Sequence, residues 1–129
     1  MARKQIIDFG WGYEQGFGYS QAVRVGDLVI LAGSMPCDAG ANLVAEGDIK
    51  GQTRKVFENM KEVLAAAGLG LEDVVEIVSY HTDMAGLHDV VEVKAEYLPS
   101  DFPAWTAIGV TSLALPGQLI EIKATAAAR

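Results

Sequence analysis

Between Asp48 and Gly68 the residues Ile49, Thr53, Val56, Phe57, Met60, Val63, Leu64 and Ala67 recur at spacings of three and four. That periodicity predicts a helix with one buried stripe, opened by Asp48 as N-cap and closed by Gly68 just past its end. Gln52, Arg54, Lys55, Glu58, Lys61 and Glu62 fall elsewhere on the wheel and make a wet face. An apolar stripe of this length cannot be left in water. The rest of the chain must supply a sheet or a second helix to cover it, and 129 residues leave room for one such core, a single domain over residues 1–129.

The flanking segments read as strands. Residues 21–25 and 28–33, separated by Gly26-Asp27, have the form of a hairpin. Residues 34–47 contain Pro36, Cys37, Asp38, Gly40 and Asn42 and read as a loop, with a short pairing segment at Leu43-Val44. Residues 74–82 are rich in β-branched side chains, and 87–98 form a second amphipathic pattern with Leu87, Val90, Val91, Tyr97 and Leu98 on one side. Residues 104–110 and 118–126 complete the strands across a Pro116-Gly117 turn. The order predicts an α+β layer with two helices on one face of a sheet. In the last strand Ile120, Ile122, Ala124 and Ala126 share the face suited to lie under the helices. Leu119, Glu121, Lys123 and Thr125 share the other, which is either solvated or an oligomer interface.

Charge narrows the function. Ten basic residues against 17 acidic ones give −7 at neutral pH, and the sequence pI is about 4.7. Nucleic-acid readers carry a basic surface, and here the one close cluster, Arg54-Lys55 with Lys50 and Lys61 nearby, falls on the wet face of the predicted helix. No apolar run approaches the roughly 20 residues of a membrane span. The first residues lack a signal-peptide pattern, so the expected location is the cytoplasm. Cys37, the single cysteine, excludes an intrachain disulfide framework and a cysteine-cluster zinc site.

Taken in order, Tyr19-Ser20-Gln21-Ala22-Val23, Gly26, Ala32-Gly33-Ser34-Met35-Pro36, Gln52-Thr53 with Asn59, Ala67-Gly68 and Asp73-Val74-Val75 form a spaced series. It continues through Asp83-Met84, Phe102-Pro103-Ala104, Leu115-Pro116-Gly117 and Glu121-Ile122. Over residues 17–126 this resembles the Rid/YjgF family, also described as endoribonuclease L-PSP. The resemblance implies a chorismate-mutase-like α+β fold with a mixed sheet. It implies a homotrimer whose helix-free sheet faces meet around a central barrel, with a pocket at each subunit boundary. It also implies hydrolysis of reactive imines and enamines to ketones and ammonia, without metal or organic cofactor. On the same footing Glu121 matches the family's glutamate, Tyr19 an aromatic lining the pocket, and the backbone around Gly33, Ser34 and Ala107 its polar rim. From the residues alone, an ion pair with Lys123 or a neighbour's arginine is the competing role for Glu121.

The departures point to a divergent branch. Where deaminating members place an arginine that grips the substrate carboxylate, this chain has Trp105, which offers one N–H and no charge. Val91 and Lys94 stand where the resemblance expects an asparagine and a tyrosine, and Ala32 where it expects a serine. The expected substrate is therefore an imine or enamine other than the usual 2-imino acid. A non-catalytic module binding a small molecule or a partner is the alternative, and an endoribonuclease or translation inhibitor the third reading.

Other signals are weaker. His81, Asp83 and His88 are too loosely spaced to define a metal site. Cys37 has no His, Asp or Asn at a triad spacing and reads as an ordinary accessible thiol. Ser20 and Ser34 lack a base and read as backbone partners. The interleaved aromatics and glycines from Gly10 to Tyr19 read as a loop folded over a core edge or pocket, packing rather than a stacking platform for bases.

Overall fold

A computed structural model describes residues 3–128. Strand β1 (Gln5–Ile6) is followed by a one-turn helix α1 (Tyr13–Phe17), then by the hairpin β2 (Ala22–Val25) and β3 (Leu28–Leu31). The long helix α2 (Ile49–Ala66) precedes β4 (Val74–His81), α3 (Leu87–Tyr97), β5 (Ala104–Gly109) and β6 (Ile120–Ala127). These strands make one mixed sheet in the order β1-β2-β3-β6-β4-β5, antiparallel except for the β4–β5 pair that α3 connects.

Helix α2 begins as its sequence requires. The Asp48 carboxylate accepts from the Gly51 amide at 3.0 Å, and Gly68 follows the helix with φ 76°. Its stripe of Val56, Phe57, Met60, Val63 and Leu64 is buried, with Phe57 stacked on Tyr97 of α3 at 5.0 Å between ring centroids. In β6 the side chains of Ile120, Ile122, Ala124 and Ala126 are buried on the same core, while Lys123 is exposed. The predicted alternation is the observed one.

Three expectations are corrected. The segment from Gly10 to Tyr19 is not wholly a loop, since α1 closes on Gly18 in the left-handed conformation, φ 79°. One turn is too short for hydrophobic periodicity to announce it. Within α3, Val93 is buried and Val91 is 39% exposed, so the apolar side of this helix lies along Val90 and Val93. Cys37 is buried rather than accessible, because Asn59 of α2 donates to the carbonyls of Met35 and Cys37 and draws the loop onto the core.

Against the helix-covered core stands a sheet face that no helix among the described residues covers. Register places Glu76, Val78 and Tyr80 of β4 opposite Thr125, Lys123 and Glu121 on this face. Leu28 and Ile30 are 43% and 47% exposed, while Val29 and Leu31 between and beyond them are buried, so the first two belong to the uncovered side. Ile108 of β5, in register with Tyr80, shares it.

Candidate functional site

Glu121 sits on the uncovered face of a central strand, and its neighbours fix the carboxylate. The Pro116-Gly117 turn that launches β6 is held by Gln52, which is fully buried in α2. Gln52 accepts from the Leu119 amide at 2.8 Å and donates to the Gly117 carbonyl at 3.1 Å. Gln118 is buried behind the turn and donates to the Ile120 carbonyl and to Glu121 Oε1 at 3.2 Å. The other carboxylate oxygen lies over Gly33: a Cβ added there would stand 2.8 Å from Glu121 Cδ and would collide with Oε2. Gly33 is thus the residue that lets the carboxylate lie down on the backbone. The half-buried position pushes the Glu121 carboxyl above its ordinary range, with the Gln118 hydrogen bond pulling modestly the other way.

A strap of aromatic residues meets Cys37, the residue through which it is linked to this carboxylate. Phe9, Trp11, Tyr13 and Tyr19 follow one another with centroid separations of 5.4, 5.8 and 6.5 Å. Buried Gln21 donates to the Tyr13 hydroxyl at 3.3 Å and reaches the Tyr19 hydroxyl at 3.5 Å. The Tyr13 hydroxyl lies 3.7 Å from Cys37 Sγ. Burial raises the Tyr13, Tyr19 and Cys37 groups, and the Glu121 charge adds slightly to the effect on Cys37. All three therefore stay protonated at neutral pH. Of the predicted residues, Gly33 lies against Glu121, and Tyr19 stands in the aromatic strap, beside Gln21 and Tyr13. Ser34 turns away from Glu121, donating its hydroxyl to the Val56 carbonyl at 2.7 Å and pinning the strand to α2.

Trp105 and Ala107 lie elsewhere. They are in register with Ile77 and Ser79, which are buried on the helix side of β4. They are therefore on the opposite face from Glu121 and two strands away, about 10 Å at ordinary strand spacing. The Trp105 indole donates to Ser79 Oγ at 2.8 Å, and Ser79 Oγ is 2.7 Å from His81 Nε2. Burial lowers the His81 pKa, so the imidazole is neutral in the core. The outer side of Trp105 meets Lys94 of α3, whose ammonium stands 5.0 Å from the indole centroid and 5.3 Å from that of Phe102. One chain thus carries two half-sets: a carboxylate half around Glu121, and an aromatic half along β5, the sheet's edge strand.

Sequence reading missed the roles of Gln118, Tyr13 and Gln21, and it noted Lys94 as a departure without its contact to Trp105. Gln118 stands three residues before Glu121 and directly after a Pro-Gly turn, a spacing that could have flagged it. The Lys94–Trp105 contact joins a helix to a strand across a loop and leaves no local signal. Among the described residues no three of His, Cys, Asp and Glu converge on a common point. His81 is buried, and Asp83 caps the turn after β4 by accepting from the Ala85 amide. Among the described residues no helix is long and apolar enough to cross a membrane.

Comparison with known proteins gives the lineage. A family model described as endoribonuclease L-PSP matches residues 15–128. A RutC family protein of Pyrococcus horikoshii is 43% identical over 108 residues, covering 84% of this chain and 85% of its own. A 2-iminobutanoate/2-iminopropanoate deaminase of Dermatophagoides farinae is 32% identical over 113 residues, 88% of each chain. Among solved structures, a YjgF-family protein of Mycobacterium tuberculosis superposes with a TM-score of 0.83 at 34% identity, covering 97% of this chain and 99% of that one.

Proposed function

The chain belongs to the endoribonuclease L-PSP family, the YjgF or Rid family, and from that premise we propose that it hydrolyses a small reactive imine or enamine. The products are a carbonyl compound and ammonia. Relatives such as the D. farinae protein bear the name of an imine deaminase. The observation that carries the reading here is the half-buried Glu121 carboxylate, laid over Gly33 and held by Gln118.

The C=N carbon is electrophilic without assistance, so the chemistry needs an oriented water and a group that exchanges protons. No metal or organic cofactor enters the scheme. Glu121 accepts a proton as water oxygen bonds to the carbon and returns it to nitrogen. Glu121 then takes the hydroxyl proton of the resulting carbinolamine and delivers it to the amino nitrogen, so that C=O forms as the C–N bond breaks and ammonia leaves. An enamine first takes a proton at carbon from the acid form of Glu121. A carboxyl raised by burial suits both directions of transfer.

The working site is proposed to be shared by copies of the chain in a homotrimer, the aromatic half of one subunit facing the carboxylate half of its neighbour. Exposed Leu28, Ile30 and Ile108 on the uncovered face support self-association. Within that site Tyr19, Gly33, Trp105 and Ala107 are assigned to the substrate and Glu121 to catalysis. The Trp105 donor is already committed to Ser79, and no guanidinium is present at that position. The substrate is accordingly not the usual 2-imino acid. The same observation favours a second reading, a binding module without turnover. An RNA-cleaving role draws no support from a chain of formal charge −7. The reaction runs on small soluble compounds, and the cytoplasm is the proposed location.

A panel of imines, with 2-iminopropanoate as the reference and aromatic or decarboxylated imines beside it, tests the proposal with Glu121→Gln as control. Turnover of at least one panel member above buffer, lost in Glu121→Gln, supports the deaminase. Ligand protection without turnover of any member supports the binding module. Trp105→Arg should raise turnover of 2-iminopropanoate.

A further inference from the structure

The charge on α3 is divided in a way the deaminase scheme does not use. Its three carboxylates all point toward α2. Glu92 is paired with Lys50 at 2.6 Å, Asp89 approaches the same ammonium at 4.0 Å, and Glu96 takes Arg54 through two hydrogen bonds of 2.9 and 3.2 Å. Lys94, on the side of α3 that overlooks β5, has no carboxylate within ion-pair distance among the described residues. Instead it is propped on two aromatic rings, half-buried Trp105 and 70%-exposed Phe102.

Rings hold an ammonium without neutralising it. The stem is ordered and the charge is left to face solvent beside the unpaired edge of β5. Trp105 has no second donor to offer, since its N–H is bonded to Ser79. We infer that Lys94 is the charge-specificity residue of the aromatic half-site. It recognises an anionic group on the ligand, while Trp105 and Phe102 supply the apolar wall.

This inference rests on the proposed imine or enamine chemistry and names its substrate class more closely. The ammonium stands about 5 Å off both rings, so an anion bonded to it lies beyond the aromatic shelf. The ligand is an imine or enamine whose carboxylate is separated from the C=N carbon by an extended or aromatic body. An ammonium is a point charge without the planar fork of arginine, so it tolerates that variety of anion geometry.

The experiment is equilibrium binding at low salt, followed by the indole N–H resonance of Trp105. The probes are two matched pairs: benzoate against benzamide, and 4-phenylbutanoate against its amide. Wild type should bind each carboxylate about tenfold or more tightly than its amide, a preference that shrinks with added salt. Lys94→Met and Lys94→Gln should abolish the preference, bringing each carboxylate to the affinity of its own amide, and Lys94→Arg should keep it. Equal affinity for acid and amide in wild type overturns the inference, as does a preference that survives in either neutral variant. The readout needs no turnover. If no imine is hydrolysed yet the preference tracks Lys94, the deaminase reading fails alone; if neutral imines are hydrolysed and the preference is absent, only the Lys94 assignment falls.

Discussion

Gly33→Ala separates the position of the Glu121 carboxylate from its presence. The new methyl carbon would lie 2.8 Å from Glu121 Cδ and 3.1 Å from Cγ, whereas carbon atoms in contact settle at about 3.5–4.0 Å. The carboxylate must retreat by about 1 Å, and the obstacle is a side chain, so it can. A misplacement of that size is worth about a hundredfold in rate when a catalytic group must meet its target closely. Backbone cost is small, because Gly33 is not in the left-handed region and alanine adopts its conformation. Reduced freedom of the unfolded chain offsets part of the crowding, leaving stability within about 1 kcal/mol of wild type. The assay is kcat/KM on the best imine of the panel, beside urea unfolding and an NMR titration of the Glu121 carboxyl. The expected result is a loss of about a hundredfold in kcat/KM, unchanged unfolding, and a Glu121 pKa that moves down as the group enters water. A Gly33→Ala protein with wild-type turnover and an unmoved Glu121 titration would refute the placement argument.

Glu121→Gln should stabilise the fold while abolishing turnover. Burial raises the folded-state pKa above its unfolded value, so the charged form costs stability as pH rises through that window and costs nothing below the unfolded pKa. Melting curves should therefore coincide with wild type at acid pH and separate in favour of the variant above the window. Ile30→Glu, at a 47%-exposed position on the uncovered face, should convert the proposed trimer to monomer in sedimentation velocity with little change in secondary structure. Phe57→Ala removes a fully buried ring stacked on Tyr97 and should cost about 3–5 kcal/mol in chemical unfolding.

Features with a local period could be read from the chain alone. The stripe of α2, with its Asp48 cap, and the two faces of β6 follow from spacings of three to four and of two, and each is observed. The alternation of β6 puts Glu121 on the side away from the helices, beside Lys123 and Thr125, and the family resemblance is what singles it out. What escaped is non-local or too brief. The burial of Cys37 depends on Asn59, 22 residues away in sequence, and the support under Glu121 depends on a glycine just past the end of β3. Trp105 was visible as a residue type, but its committed N–H and the ammonium above it arise only when β5, β4 and α3 are brought together.

The separation of the two half-sets bears on how such a chain can change over evolutionary time. Glu121, Gly33 and Gln118 share no contact with Trp105, Phe102 or Lys94 in the same chain, and β4 lies between them. Substitutions on either side should add independently in their effect on folding. A lineage can therefore redraw what lies along β5 without repaying the cost of rebuilding the carboxylate. Under the proposed function, reactivity is inherited on one strand and taste on another, which leaves the second free to wander.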